Sequence, residues 1–353
     1  MQKKKLIYII PSLGVGGAEV ALLSAIPELN RNFDFRVICL SSFRSSFLAG
    51  LSEEERRNVL IFAGFPTNYV RALRYILKFK PDMVITSLWK ATPLGIMTKL
   101  FQSKVKFVEF IHNTVYFHFF DKLFTKLALK SADIVFCDSA SAKTFVEKQG
   151  YRKPAEIISF LRFQSPKQWQ RREKISLKAL FVGRFHEQKR IDRLVLLVKK
   201  LVDAGLDFRV DLFGRDDGTM ELVKTLIKEN HLENNIFLKG EIATDKVQGL
   251  FADYDFYFQT SEVEGMAMSV VEAMQHGLVC VLTNVGEIRN YAKNGENAVV
   301  INDDFNLNEI VEQLKQITND INLANKISQN AYLTFAEQKN FATSLIEAIN
   351  KLV

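Results

Sequence analysis

The sequence predicts an α/β protein with two parallel, helix-covered sheets. Short apolar runs of strand length alternate with amphipathic helical patterns along most of the chain, which favours parallel strands joined by helices. This alternation is interrupted once, by a polar and irregular stretch at Arg162–Lys174. A length of 353 residues is long for one hydrophobic core and sufficient for two. We therefore expect two domains, one on each side of this linker.

The predicted strands are similar in length and spacing in the two halves. In the first half they are Lys5–Ile10, Phe35–Leu40, Asn58–Ala63, Asp82–Ser87, Lys106–Ile111 and Asp133–Asp138. In the second half they are Lys178–Gly183, Arg209–Gly214, Asn235–Gly240, Asp255–Thr260, Leu278–Thr283 and Asn297–Asn302. Several strands of the second half run into Gly, Ser or Asn, which is typical of strands that end in ligand-side loops.

Composition is typical of a soluble globular protein, with 48% hydrophobic and 25% charged residues. No apolar run approaches the roughly 20 residues of a membrane-spanning helix. The N-terminal residues, MQKKKLIYII, predict a first strand and not a signal peptide. Cys39, Cys137 and Cys280 are far apart and lack metal-ligand spacing, so we expect buried free thiols in a reducing, cytoplasmic compartment.

Charge is distributed unevenly between the halves. The first 168 residues carry nearly twice as many basic as acidic residues, whereas the rest is slightly acidic. Two predicted helices of the first half place basic residues on one face: Arg71, Arg74 and Lys78 in one, and Lys122, Lys126 and Lys130 in the other, beside Phe119, Phe120, Leu123, Phe124 and Leu127. A basic face beside an aromatic one favours contact with an anionic membrane. Surface helices packed on their own sheet are the alternative, and nucleic acid is a weaker one because no nucleic-acid motif is present.

Two loops of the second half carry residues suited to a nucleotide diphosphate. Glu264 and Glu272 are eight residues apart where a predicted strand turns into a helix, the place where α/β sheets bind ligands. Upstream, another strand ends in Gly183-Arg184, and Lys189 follows. Arg184 and Lys189 suit a diphosphate, because Arg offers a planar fork of donors and Lys a point charge. The helix after Glu264 would direct the backbone amides of Met268 and Ser269 at the same group.

These segments resemble glycosyltransferase family 4. VGRFHEQKRIDRLV is similar to that family's VGRL…KG…LL segment, and residues 264–300 are similar to its Glu-x7-Glu block. IIPSLGVGGAEVALLSAI and SADIVFCDS resemble its opening strand–GG–helix and the end of its first domain. The resemblance implies a GT-B fold, with two Rossmann-like domains facing across a cleft. It assigns 1–168 to the acceptor domain, 169–330 to the nucleotide-sugar domain and 331–353 to a helix that crosses back.

The resemblance also implies an activity and residue roles. It predicts transfer of a sugar from a nucleotide-diphosphate sugar to a glycan or lipid-linked acceptor, with retention of the anomeric configuration and without metal or cofactor. Glu264 would hold sugar hydroxyls and Glu272 the nucleotide ribose. The backbone amides of Met266 and Ala267 would contact the sugar. Bacterial surface polysaccharide or lipopolysaccharide synthesis, on the inner face of the cytoplasmic membrane, is the expected setting.

Two features of the first domain belong to the same prediction. Gly16-Gly17 lies between a strand and a helix without side-chain bulk, which permits a phosphate or acceptor to approach, although a plain turn has the same pattern. His112 ends a strand and matches the family's His near the reacting sugar, although a lone His is often structural. The adjacent acids Asp216 and Asp217 are interpreted as a surface turn and not as a metal site.

The sequence departs from the family pattern at three positions. Leu278 replaces a Pro, Glu287 replaces the second Gly of a pair, and Ala298 replaces the Gly of an Asn-Gly turn. Glu287 adds a carboxylate near the donor loops, and Ala298 predicts a different turn. The donor's base and sugar are expected to depend on the loops Lys239–Ala243 and Met266–Met268. A non-catalytic nucleotide-sugar-binding protein, a nucleotide-sugar epimerase or a phosphorylase of the same fold stay open as alternatives.

Overall fold

The computed structural model describes residues 3–14, 16–43, 45–112, 114–116, 118–242, 246–302 and 305–352. The chain forms two compact units, the first made of residues 1–162 and 339–353 and the second of residues 163–338. The division drawn from the sequence lay slightly later, at residue 168, and began the last segment at residue 331.

The first unit contains a sheet of 7 parallel strands in the order β3-β2-β1-β4-β5-β6-β7. Its strands are β1 (Lys5–Ile10), β2 (Asp34–Cys39), β3 (Val59–Ile61), β4 (Met83–Ser87), β5 (Lys106–Ile111), β6 (Ile134–Cys137) and β7 (Ala155–Ile157). Its helices are α1 (Gly17–Asn32), α2 (Glu53–Arg57), α3 (Thr67–Phe79), α4 (Thr92–Phe101), α5 (Phe119–Ser131) and α6 (Ala140–Lys148). The central strands are almost wholly apolar because helices cover both faces of a parallel sheet.

The second unit contains a sheet of 6 parallel strands in the order β10-β9-β8-β11-β12-β13. Its strands are β8 (Lys178–Val182), β9 (Arg209–Phe213), β10 (Ile236–Gly240), β11 (Phe256–Gln259), β12 (Val279–Thr283) and β13 (Val299–Ile301). Its helices are α7 (Ile191–Asp203), α8 (Met220–Glu229), α9 (Val247–Leu250), α10 (Met268–Gln275), α11 (Ile288–Tyr291), α12 (Leu307–Asn319) and α13 (Ile321–Phe335). Helices α7 and α12 contribute Leu194, Leu201 and Leu314 to one core with strand residues such as Phe256 and Phe258.

The last helix, α14 (Phe341–Asn350), belongs to the first unit. The Phe341 amide donates a hydrogen bond to the Leu161 carbonyl (2.7 Å), and the Phe341 ring packs on Phe160 with 5.1 Å between centroids. The Ser159 amide donates to the Ser344 hydroxyl (3.1 Å). The apolar face of this helix is therefore buried against the first unit.

The stretch interpreted as a linker, Arg162–Lys174, is packed along much of its length. The Trp169 indole donates to the Ser328 hydroxyl (2.9 Å), and the Arg172 guanidinium pairs with Asp255 and donates to the Gly277 carbonyl (2.8 Å). The polar residues of this segment thus satisfy buried groups of the second unit. The boundary between the two units falls at the start of this stretch, and the rest of it belongs to the second unit.

The predicted fold class, two Rossmann-like parallel sheets, is confirmed. Every strand predicted from the sequence is present, and β7 is the additional one. In each sheet the strand order reverses once, between β1 and β4 and between β8 and β11. Ligands of doubly wound sheets bind beside the carboxyl ends of the strands at such a switch point.

Two predictions from composition can be compared with the structure. Cys39, Cys137 and Cys280 are free and buried, as predicted. Among the described residues no helix has both the length and the hydropathy needed to cross a membrane.

Candidate functional site

Two loops at the switch point of the second unit are tied together. Strands β8 and β11 are neighbours, so the loops that follow them lie at the same edge of the sheet. The Gln188 side chain donates to the Val263 carbonyl (2.7 Å), and the Glu262 amide donates to the Gln188 carbonyl (3.0 Å). The Thr260 hydroxyl donates to the Arg190 carbonyl (2.9 Å). These bonds fix the short 3-10 turn Glu187–Lys189 against the loop that carries Glu264.

Lys189 and Glu264 form a nearly buried ion pair. The Lys189 Nζ lies 2.6 Å from Glu264 Oε1, and the two side chains are only 15% and 7% exposed. The same carboxylate oxygen accepts a hydrogen bond from the buried Gln259 amide. Solvent screens such a pair weakly, so removing one partner would leave a costly uncompensated charge.

Arg184 is held by a carboxylate from the loop after β9. Its Nη1 lies 2.7 Å from Asp217 Oδ2, and its side chain is 40% exposed. The loops after β8 and β9 approach so closely that a Cβ on Gly214 would lie 1.7 Å from the Gly183 carbonyl oxygen. Asp216 accepts hydrogen bonds from backbone amides at the start of α8, as a turn residue does. Asp216 thus behaves as the turn residue that the sequence predicted, and Asp217 in the same turn also pairs with Arg184.

Helix α10 begins beside the Glu264 loop. Ala267, the residue before its first turn, has a φ of 54°, which is strained for a residue with a Cβ. The Ser269 hydroxyl accepts a hydrogen bond from the Tyr257 hydroxyl (2.8 Å), and the Met266 carbonyl accepts one from Tyr291 (3.2 Å). Burial raises the pKa of Tyr257, so this hydroxyl stays protonated as a donor. The positive end of α10 thus lies beside the carboxylate loop.

The loop after β12 packs directly on the Glu264 backbone. A Cβ on Gly286 would lie 2.0 Å from the Glu264 carbonyl oxygen, and Gly286 has a φ of 54°. The Glu287 amide donates to the Gly265 carbonyl (3.1 Å), while the Glu287 carboxylate accepts from Asn290 (2.8 Å). Glycine is thus required at Gly286, the first position of the family's GG pair. Glu287, at the second position, accepts its side-chain hydrogen bond from the first turn of α11.

The remaining predicted residues of this unit have varied surroundings. Glu272 lies inside α10 and is 1% exposed. Its assignment to the nucleotide ribose stays a prediction. Leu278 is fully buried. In the turn that contains Ala298, Gly295 takes the left-handed conformation (φ 72°) and donates to the Ala298 carbonyl (2.9 Å). Of the loop Lys239–Ala243, Ala243 lies outside the described residues.

In the first unit, His112 has neighbours that fix its ring. Its Nε2 lies 2.7 Å from the Ser87 hydroxyl, and its Nδ1 lies 3.5 Å from Asp138 Oδ2. The ring stacks on Phe110 (4.6 Å between centroids), and the side chain is 8% exposed. These contacts suit a structural or a functional His, so the proposed role near the sugar stays a prediction.

Glu109 is a buried carboxyl that the sequence did not single out. It lies on β5, where the Thr86 and Thr92 hydroxyls donate to it, the latter at 2.7 Å. Burial raises the pKa of Glu109 to about 8. The group is therefore largely protonated and uncharged at neutral pH.

Gly16 and Gly17 lie where β1 gives way to α1. Gly16 precedes the first helical residue, Gly17, and the Gly16 carbonyl accepts from the Val20 amide (3.0 Å). A Cβ on Gly16 would lie 2.1 Å from the Glu19 carboxylate. The Glu19 side chain therefore folds back over the turn, and it would have to move aside for a larger residue at position 16. Among the described residues, no group of three or more His, Cys, Asp or Glu has the arrangement of a metal site.

This fold and this pair of charged loops define the GT-B class of glycosyltransferases. The family described as "Glycosyl transferases group 1" matches residues 164–334, and the one described as "Glycosyltransferase Family 4" matches residues 15–159. Together the two matches cover most of the chain. The chain belongs to the group 1 glycosyltransferases of family 4, as its sequence resemblance predicted.

Solved structures agree on the fold over the whole chain. A crystal structure of Anabaena HepE in complex with UDP has a TM-score of 0.82, with 18% identity and 99% of both chains covered. At that identity the similarity establishes the fold alone.

Curated relatives match over shorter stretches. The poly(glycerol-phosphate) alpha-glucosyltransferase of Bacillus subtilis is 27% identical over 184 residues, which is 50% of this chain and 26% of the relative. The poly(ribitol-phosphate) alpha-N-acetylglucosaminyltransferase of Staphylococcus aureus is 24% identical over 171 residues, which is 48% and 34%. The match thus spans about a quarter to a third of the length of these two relatives.

Proposed function

We propose that the protein transfers a sugar from a nucleotide-diphosphate donor to a glycan or lipid-linked acceptor. The observation that carries this proposal is the buried Lys189–Glu264 pair, tied by hydrogen bonds to the switch point of the second sheet. Negative charge grows on the leaving diphosphate during transfer, and a cation fixed in a dry site stabilises it most. Arg184 and the first amides of α10 would add to this stabilisation. The Glu264 carboxylate would then be free to hold sugar hydroxyls.

The donor in this proposal is a UDP-hexose. Support comes from Anabaena HepE, which was crystallised with UDP and with UDP-glucose. The names of the two curated relatives describe glucosyl and N-acetylglucosaminyl transfer to poly(glycerol phosphate) and poly(ribitol phosphate). An anionic polymer or lipid-linked glycan of the bacterial surface is the corresponding acceptor class.

The proposed stereochemistry is retention. The acceptor hydroxyl attacks the anomeric carbon from the face that the diphosphate leaves, and its proton passes to the departing phosphate. No metal ion takes part in this scheme. In this proposal the protein acts in the cytoplasm, at the inner face of the membrane where lipid-linked acceptors are available.

Product analysis tests this function. With UDP-glucose or UDP-N-acetylglucosamine, we expect UDP release that depends on an added polyol-phosphate or lipid-linked acceptor and persists with a chelator. NMR of the product is expected to give the donor's α configuration. Nucleotide binding without turnover on any acceptor would instead indicate a binding protein, and interconversion of the sugar on the intact nucleotide would indicate an epimerase.

A further inference from the structure

Helix α5 of the first unit has its apolar side chains on the outside. Phe119 and Phe120 are 72% and 56% exposed, and Leu123 and Leu127 are exposed too. The face turned towards the protein includes the buried polar residues Asp121 and Thr125 together with the apolar Ala128 and Leu129. An ordinary surface helix has the opposite arrangement, with its apolar stripe against the core.

The polar inner face of α5 has a local explanation. Asp121 and Thr125 line a small cavity of about 20 Å³ together with Glu109 and Tyr116. A cavity of that size with polar walls has room for about one water molecule. The inner face of the helix thus serves a polar pocket, and its exposed Phe and Leu side chains contribute little to the core of this unit.

Helix α3 is the matching control within the same unit. It also carries basic residues, Arg71, Arg74 and Lys78, all exposed. Its Ala72 and Ile76 lie in the core. Further apolar side chains of α3, Tyr69, Leu73, Tyr75 and Phe79, pack against that core. From sequence, both helices could either contact a membrane or pack as surface helices on their own sheet. In the structure, α3 is the surface helix packed on its own sheet.

Basic side chains lie beside the exposed apolar face of α5. Lys122, Lys126 and Lys130 are exposed, and among the described residues no carboxylate is within ion-pair distance of them. Trp89 extends the face, since its ring stacks on Phe120 and Phe124 with centroids 6.4 and 6.1 Å away. The Lys90 ammonium lies 5.4 Å from the Trp89 ring. Aromatic side chains ringed by unneutralised lysines are suited to the boundary between lipid headgroups and acyl chains.

We propose that the outer face of α5, defined by Phe119, Phe120, Leu123 and Leu127 with Lys122, Lys126 and Lys130, docks in the plane of an anionic lipid bilayer. The phenyl and leucine side chains enter the acyl boundary, and the lysines contact anionic headgroups. A protein partner is the less favoured occupant, because lysine is depleted in protein–protein interfaces and this face has several lysines. This surface deepens the membrane location given in the proposed function and rests on that location, while its own evidence is the exposed face of α5 with Trp89.

Vesicle binding at low salt tests the proposal. The full chain is mixed with vesicles of phosphatidylcholine alone or with phosphatidylglycerol, and the bound fraction is measured by flotation. We expect retention only by the anionic vesicles. Lys122→Gln/Lys126→Gln/Lys130→Gln is expected to weaken the partition coefficient on the order of a hundredfold. Phe119→Ser/Leu123→Ser is expected to weaken it by a similar factor at all salt concentrations.

Matched variants on α3 provide the control. Arg71→Gln/Arg74→Gln/Lys78→Gln and the exposed Val70→Ser are expected to change retention less than threefold. All these residues are exposed, so circular dichroism and the melting temperature should match the wild type. Nucleotide binding should also be unchanged in the α5 variants, which separates this surface from the donor site.

Four outcomes would overturn the proposal. The first is no retention of the wild type by anionic vesicles, and the second is equal retention by neutral ones. The third is an α3 effect as large as the α5 effect. The fourth is a concentration-dependent dimer that Phe119→Ser/Leu123→Ser abolishes without any lipid binding, since this would make a second copy the occupant.

Discussion

The two sheets share one topology, but their carboxyl edges differ in charge. In the second unit, cations of the edge loops are paired with carboxylates, as in Lys189–Glu264 and Arg184–Asp217. At the edge of the first unit, Glu109 is held by two hydroxyls and His112 by Ser87. Lysines without an ion-pair partner among the described residues include Lys122, Lys126 and Lys130 on the outer face of α5.

Under the proposed function, this difference fits the same strand order to different ligands. Cations that are held by carboxylates at this edge suit a diphosphate, which can replace the carboxylates or bind beside them. The uncharged Glu109 carboxyl suits hydroxyl groups, and exposed lysines suit a surface of many anions. The fold alone would not separate these roles, because the chemistry depends on side chains placed at equivalent positions.

The largest effect is expected from Lys189→Gln. Loss of the ammonium removes charge stabilisation of the leaving group, so kcat/KM is expected to fall about 10²- to 10³-fold. Steady-state kinetics with varied donor measure it. The control is Lys199→Gln, which removes a partly exposed lysine that pairs with Asp203 on α7. Equal activity of the two variants would break the contrast between the two edges.

A second large effect is expected from Gly286→Ala. The new Cβ would lie 2.0 Å from the Glu264 carbonyl oxygen, so the Glu264 loop must move and donor binding should weaken by at least about tenfold. Titration calorimetry with UDP measures this. Gly249→Ala is the control, because its Cβ meets no atom within 4 Å. Unchanged UDP affinity in Gly286→Ala would contradict the role given to this contact.

A few-fold effect of opposite sign is expected from Asp217→Asn. The Asp217 carboxylate offsets part of the charge of Arg184, and the pair is partly exposed. Neutralising it should tighten UDP binding by roughly two- to fivefold, in line with partly exposed pairs. Asp203→Asn, in the exposed pair on α7, should leave binding unchanged. Weaker binding in Asp217→Asn would mean that this carboxylate mainly orients Arg184.

The smallest effect concerns stability and Glu109. The pKa of this carboxyl is about 8 in the folded protein, above its ordinary 4.5, so the folded state keeps a proton that the unfolded chain has released. Its contribution to the free energy of unfolding therefore falls as pH rises from about 4.5 to about 8, and is constant above that. Glu109→Gln should flatten this slope.

Melting temperatures of wild type and Glu109→Gln at pH 5 and pH 8.5 measure the difference. The exposed Glu147→Gln on α6 serves as the control and should follow the wild type. The same change of melting temperature between the two pH values in wild type and Glu109→Gln would show that this carboxyl is ionised in the fold, and would contradict its description as uncharged.

Much of the fold could be predicted from the sequence, because alternating strand and helix patterns are local. Strand β7 was missed because Glu156 interrupts a short apolar run that follows a proline. The packing of the stretch Arg162–Lys174 was not predicted, because Trp169 and Arg172 contact residues far along the chain. Sequence spacing could not give these contacts.

The site was predicted less completely, for similar reasons. Arg184, Lys189 and Glu264 were found by residue type and resemblance. The partner of Arg184, Asp217, lies 33 residues away on another loop, and adjacent acids ordinarily mark a turn. The sequence periodicity predicted that α5 has a basic face beside an apolar one. Only the structure shows which of its faces is exposed to solvent.

The most direct test of the account is a thermal-shift panel of UDP, GDP, ADP and CMP without metal. It compares wild type, Lys189→Gln and Phe119→Ser/Leu123→Ser. A ligand well above its dissociation constant raises the melting temperature of a protein that binds it. We predict a shift with UDP in the wild type and in the α5 variant, and none in Lys189→Gln. No shift with any nucleotide, or the same shift in Lys189→Gln, would contradict the assignment of the donor diphosphate to this edge of the second sheet.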